Sequence, residues 1–144
     1  MELTEILQRL GLKIGHYTDE ENLTGSSVFI ADKGANIGID IRGSNTGTLN
    51  TPAFEPKASG KLAHGVVLTG GSTFGLESAF GVMKFLEEKK IGNKTRAGII
   101  PGITGAVIYD IAVGNKVYPN KENGYTASMN ASYTNVEQGN IGVG

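Results

Sequence analysis

The 144 residues carry 13 Lys and Arg against 14 Asp and Glu, no Cys and 22 Gly, a glycine share about twice the ~7% of ordinary proteins. One domain is the expected count over 1–144, and 39% hydrophobic residues supply a core without metal or disulfide staples. The near-neutral charge lacks the basic stripe of a nucleic-acid binder, and the absence of Cys removes disulfide frameworks, Cys-ligated zinc and thiol nucleophiles.

Met1 to Leu10 alternates Glu2, Glu5 and Arg9 with Leu3, Ile6, Leu7 and Leu10, so it lacks the apolar run of a signal peptide. No stretch approaches the ~18 apolar residues of a membrane span. A cytoplasmic protein with no membrane and no nucleic-acid partner is the expectation. Thr4 to Leu10 reads as a short amphipathic helix stopped by Gly11. Ser27 to Asp32 and Asn36 to Ile41 read as a hairpin around Lys33, Gly34 and Ala35, because Ile37, Ile39 and Ile41 fall on one strand face. Arg42 to Gly60 has no periodicity and predicts a long loop, a kind of segment that in a compact domain is usually functional or disordered.

The clearest unit follows. His64 to Thr69 is a short apolar strand, Gly70 and Gly71 make a turn, and Ser72 or Thr73 is expected to cap a helix running to about Lys90. Leu76, Ala79, Phe80, Met83 and Leu86 recur on its apolar side. Next come a Pro101-Gly102 turn, a second buried strand over Ala106 to Ala112, and a short helix near Tyr125 to Ser132. The glycine-rich stretch from Glu137 to Gly144 reads as loop.

The Gly70-Gly71-Ser72 turn could offer backbone N–H groups to an anion, but its spacing matches neither a P-loop nor a dinucleotide site, and a plain tight turn is the competing reading. His16 and His64 lie in separate segments without metal-ligand spacing, which favours structural roles. No metal and no cofactor is expected. Asp40 and Arg42 flank a predicted strand end and can pair. Tyr109 interrupts an apolar strand, where a core tyrosine bonded to backbone is the plain reading; Asp110 beside it would be costly to bury unpaired. Neighbouring strand residues face opposite sides, so at most one of the two points into a given site.

The order of several segments goes further. Ile14-Gly15-His16, Thr24-Gly25, Ile39-Asp40-Ile41-Arg42-Gly43, Leu68 through Glu77, Ala106-Val107-Ile108-Tyr109-Asp110 and Gly139 through Gly144 together resemble the N-terminal portion of the self-processing L-aminopeptidase/D-esterase family, which includes β-peptidyl aminopeptidases and nylon-oligomer hydrolases. The resemblance runs from about Gly11 to Gly144. It implies an α/β fold, an αββα sandwich of the kind shared with ornithine acetyltransferases, completed by a second chain. It also implies a precursor that cuts itself to free an N-terminal Ser or Thr, whose own α-amine, with a pKa near ~7.7–8.0, serves as general base.

Carried over by position, the family's oxyanion-hole tyrosine falls on Tyr109. Gly70, Gly71, Ser72 and Thr73, with Ser44 and Asn45 of the Gly43 to Thr48 loop, are expected to line the substrate pocket, although Ser44-Asn45-Thr46 and Leu49-Asn50-Thr51 depart from the usual family text. The nucleophile, a lysine and an asparagine implied by the family lie beyond Gly144, so the C-terminal chain of the same precursor is the expected partner, in an oligomer of such units. Gly144 is expected in the glycine-rich loop from Gly139, where either a cut separates a second chain or the sequence is a fragment, the family's customary self-cleavage point being farther downstream. The implied activity is hydrolysis of N-terminal amino acid amides, esters or short peptides; an ornithine-acetyltransferase-like acyltransferase and a non-enzymatic ligand-binding domain are the alternatives. A further expectation is that the chain is not a stable monomer alone, since one long and two short helices cannot cover a sheet buried on both faces.

Overall fold

The computed structural model describes residues 2–58 and 62–143. Helix α1 (Leu3–Leu10) ends at Gly11, whose φ of +66° is the left-handed conformation that glycine adopts without a Cβ penalty. Strands β1 (Leu12–Asp19) and β2 (Thr24–Ala35) form an antiparallel hairpin. After a long irregular stretch come β3 (Thr48–Leu49), a 3-10 turn (Thr51–Phe54) and β4 (Ala63–Thr69). Helices α2 (Ser72–Gly75) and α3 (Ser78–Glu88) follow, then the small hairpin β5 (Asn93–Thr95) and β6 (Gly98–Ile100), then β7 (Ile103–Val107) and α4 (Lys121–Met129). The main sheet has five strands in the order β1-β2-β4-β7-β3, with β4 and β7 parallel and the other pairs antiparallel.

Helices α3 and α4 pack on one face of this sheet. Val28, Ile30, Val67 and Ile103 point toward them and meet Ala79, Val82, Leu86 and Ala127 in the buried core. Each fully buried Val, Leu or Ile there contributes about 1.5–3 kcal/mol relative to exposure. The two helices cross closely because Gly81 and Gly124 sit at the crossing, where a Cβ on either would strike the backbone carbonyl of Lys121 or of Ser78. The residues that share the opposite face by register are Ile14, Phe29, Val66 and Thr104 in one row and His16, Ser27, Leu68 and Ala106 in the next.

Several sequence expectations are corrected. The first hairpin is β1–β2, not Ser27 to Asp32 with Asn36 to Ile41. Residues 36–41 have no ladder partner, so the alternation of Ile37, Ile39 and Ile41 reports no strand. The true turn lacks a glycine. It is closed by the Asp19 carboxylate, whose Oδ1 accepts from the Asn22 backbone N–H at 2.9 Å, with Leu23 at φ +54°. The hydrogen bonds from Asn22 also hold the Asp19 carboxyl below the usual carboxylate range.

The expected helix to Lys90 is two helices, broken at Leu76–Glu77. Its N-cap position is Gly71, without a side-chain acceptor, rather than Ser72 or Thr73. Phe80 is exposed, and Val82 fills the core position instead. The last strand of the main sheet is Ile103–Val107, not Ala106 to Ala112, and the last helix starts earlier than Tyr125, where Asn120 accepts from the Asn123 backbone N–H at 3.1 Å. Among the described residues, no helix is long and apolar enough to cross a membrane.

Candidate active site

The C-terminal ends of the parallel pair β4 and β7 converge with the start of β2. Beyond Val107 the chain leaves the ladder but stays tied to β4: the Ile108 N–H donates to the Thr69 carbonyl at 2.9 Å, and the Ile108 carbonyl accepts from the Ser72 N–H at 3.0 Å. Asp110 then reaches back over the glycine turn. Its Oδ1 accepts from the Gly71 N–H at 2.6 Å and its Oδ2 from the Thr24 hydroxyl at 2.8 Å. Gly70 must lack a side chain for this, since a Cβ there would collide with the Thr24 hydroxyl and the Asp110 carboxylate. Gly71 stands at φ +83°. The Gly70 N–H is taken by the Gly25 carbonyl at 2.9 Å.

These bonds correct the anion-cradle reading of the turn. The amides of Gly70, Gly71 and Ser72 are all engaged within the protein, and the anion they meet is the side chain of Asp110. The Thr73 side chain at this turn is exposed. Asp110 itself is half-buried and paired, which meets the desolvation cost that an unpaired carboxylate would carry.

Tyr109 is not a core residue of a strand. It sits between the two anchored residues with 76% of its surface exposed, and among the described residues its hydroxyl has no hydrogen-bond partner. The core-tyrosine reading is thereby overturned, because the ladder stops at Val107 and Tyr109 lies in the loop beyond it. Ile108 and Asp110, on either side of it, line a cleft of about 550 Å³ together with Thr18, Asp19, Leu23, Thr24 and Gly142. Tyr109 is not part of that lining.

The loop expected to carry substrate contacts reaches the same end of the sheet. The Gly47 carbonyl accepts from the Val107 N–H at 3.0 Å, whereas Ser44 and Asn45 are exposed and make no hydrogen bond among the described residues. Asp40 and Arg42 pair at 2.8 Å, both largely exposed, in irregular chain rather than at a strand end. Such a pair contributes little to stability. Gly144 lies outside the described residues. Just before it, the Gly142 N–H donates to the Thr18 hydroxyl at 2.8 Å and the Val143 N–H to the Ser27 hydroxyl at 3.2 Å, so this glycine-rich segment lies across the end of the β1–β2 hairpin.

Both histidines make hydrogen bonds within the fold. His16 Nδ1 shares a hydrogen bond with the Ser27 hydroxyl at 2.9 Å, and His64 Nδ1 accepts from the Gly102 N–H at 3.3 Å. Burial lowers the pKa of each, in His16 against the opposing charge of Glu137. Sequence reasoning missed Thr18, Thr24 and Ser27 as partners of this region, since each serves a residue more than eighty positions away.

Comparison with known proteins decides the family. The sequence model of peptidase family S58 matches residues 5–144. The chain belongs to that family. It is 34% identical over 143 residues to an uncharacterized aminopeptidase of Mycobacterium tuberculosis, an alignment covering 93% of this chain and 41% of that protein. An uncharacterized aminopeptidase of Mycobacterium leprae is 35% identical over 130 residues, 84% of this chain and 36% of the relative. A 6-aminohexanoate-oligomer endohydrolase of Paenarthrobacter ureafaciens is 32% identical over 135 residues, 93% of this chain and 36% of the relative. The chain thus spans about two fifths of the length of the curated relatives it matches. Membership of S58 is what the order of segments in the sequence implied.

Proposed function

We propose that this S58 chain is the N-terminal part of a self-processed Ser/Thr-nucleophile hydrolase of N-terminal amino acid amides, esters or short peptides, working in the cytoplasm. In this reading Tyr109 donates a hydrogen bond to the oxyanion of the tetrahedral intermediate. A C-terminal chain of the same precursor brings the nucleophile and the lysine and asparagine implied by the family. That chain also completes an αββα sandwich over the half-buried face of the sheet, in an oligomer of such units. The observation that carries the reading is Tyr109 itself: a phenol whose hydroxyl is unengaged among the described residues, on a short loop pinned on both sides, at the C-terminal ends of two parallel strands. Donors aimed in advance at developing charge are where acyl-transfer catalysis finds much of its rate.

The test is Tyr109→Phe in the full-length protein. Losing one oxyanion donor lowers kcat by about 10²–10³-fold, with a much smaller change in substrate affinity, because the bond strengthens as charge develops. Thermal stability should scarcely move, since the exposed hydroxyl leaves no buried partner behind. A stable, fully processed variant with undiminished kcat would overturn the assignment.

A further inference from the structure

We propose that Asp110 is the positioning residue for Tyr109, and that it acts through the geometry of its two hydrogen bonds rather than through its charge. The inference rests on the oxyanion reading of Tyr109. With β7 ending at Val107, the strand ladder no longer fixes the backbone at Tyr109, and its own hydroxyl has no anchor among the described residues. What holds it are its neighbours: Ile108 on one side, bonded to Thr69 and Ser72, and Asp110 on the other, bonded to Gly71 and Thr24. The Asp110 carboxylate makes the only side-chain tie that reaches from this loop to both β2 and the glycine turn among the described residues. The missing Cβ of Gly70 leaves the space for it.

Charge and geometry predict different responses here. Asparagine at position 110 can accept from the Gly71 N–H with its Oδ1 and donate from Nδ2 to the Thr24 hydroxyl, which accepts as readily as it donates. The loop then stays in place although the charge is gone. Alanine removes both ties and frees the loop, and a shift of about 1 Å in a catalytic group costs on the order of 10²-fold in rate. If Asp110, which lines the cleft with Asp19, instead attracted a substrate ammonium group, asparagine would be as damaging as alanine and the change would appear in KM.

The experiment uses the full-length, processed protein and the amino acid p-nitroanilide that the wild type turns over fastest. Rates per processed site and thermal denaturation are measured for Asp110→Ala, Asp110→Asn, Tyr109→Phe and the double variant. The expected result is a kcat loss of about 10²-fold for Asp110→Ala with KM within about threefold. Asp110→Asn keeps most of the wild-type kcat. Asp110→Ala added to Tyr109→Phe costs less than about threefold more, the non-additivity of residues acting on one group. If Asp110→Ala does not fold, Thr24→Val removes one tie and should lower kcat several-fold in the wild type but not in the Tyr109→Phe background. Equal damage by Asn and Ala, a change confined to KM, or additive losses in the double variant would overturn the Asp110 inference alone. Undiminished kcat in Tyr109→Phe, or no turnover of any anilide by the wild type, would overturn the parent reading and this inference with it.

Discussion

On the side of the sheet facing α3 and α4, Val28, Ile30, Val67 and Ile103 are at most 2% exposed, whereas their neighbours on the other side, Phe29, Val66, Leu68 and Ala106, are only half-buried. The first side is closed by this chain's own helices through contacts that tolerate no added Cβ at Gly81 or Gly124. The second keeps an apolar groove of about 260 Å³ lined by Leu12, Phe29, Ala31 and Val66, and turns polar at Ser27, Thr18 and His16, where the Gly142–Val143 segment lies. One face therefore reports on the folding of the chain, and the other on what the proposed C-terminal chain would add.

The sharpest way to break this contrast is Phe29→Asp in the full-length protein. If the half-buried face is covered there, an unpaired charge is forced into an apolar contact, and stability should fall by more than about 3 kcal/mol. A change within about 0.5 kcal/mol, the usual range for a surface position, would mean that this face stays in water. On the closed face, Leu86→Ala should cost about 2–5 kcal/mol by thermal or denaturant unfolding, whatever covers the other side, because the site is fully buried and a core relaxes only partly around such a loss.

A smaller effect distinguishes the polar end. Burial lowers the pKa of His16 and His64 below the ordinary 6.5, so near and below that pH the unfolded chain binds protons that the folded chain resists. Their contribution is fully present above about pH 6.5 and is lost as the pH falls through the folded values. The melting temperature should therefore drop on acidification below neutrality, with a shallower slope in His16→Gln. A melting temperature that rises between pH 7 and 5 would contradict the assigned direction.

The two faces also differ in how far the amino-acid sequence discloses them. The strand from His64 to Thr69, the glycine turn and the α3 core positions Ala79 and Leu86 are legible because apolar spacing is a local signal. Strand β1 is not: Gly15, His16 and Thr18 interrupt its alternation, and its turn is made by Asp19 and Asn22 without the glycine that usually marks a hairpin. The isoleucines at 37, 39 and 41 mimic a strand that has no partner, since a ladder needs a neighbour that local periodicity cannot supply. At the site, family resemblance singles out Tyr109, but periodicity places it inside a strand. The bond from Thr24 to Asp110 spans 86 positions and leaves no local trace.

The most direct measurement is the intact mass and N-terminal residue of every polypeptide in the purified full-length protein, taken alongside its amidase activity. The account expects two polypeptides that remain associated, the second beginning with Ser or Thr, and activity that appears with the cut. A single uncut chain with full activity, or a second chain beginning with any other residue, would contradict it.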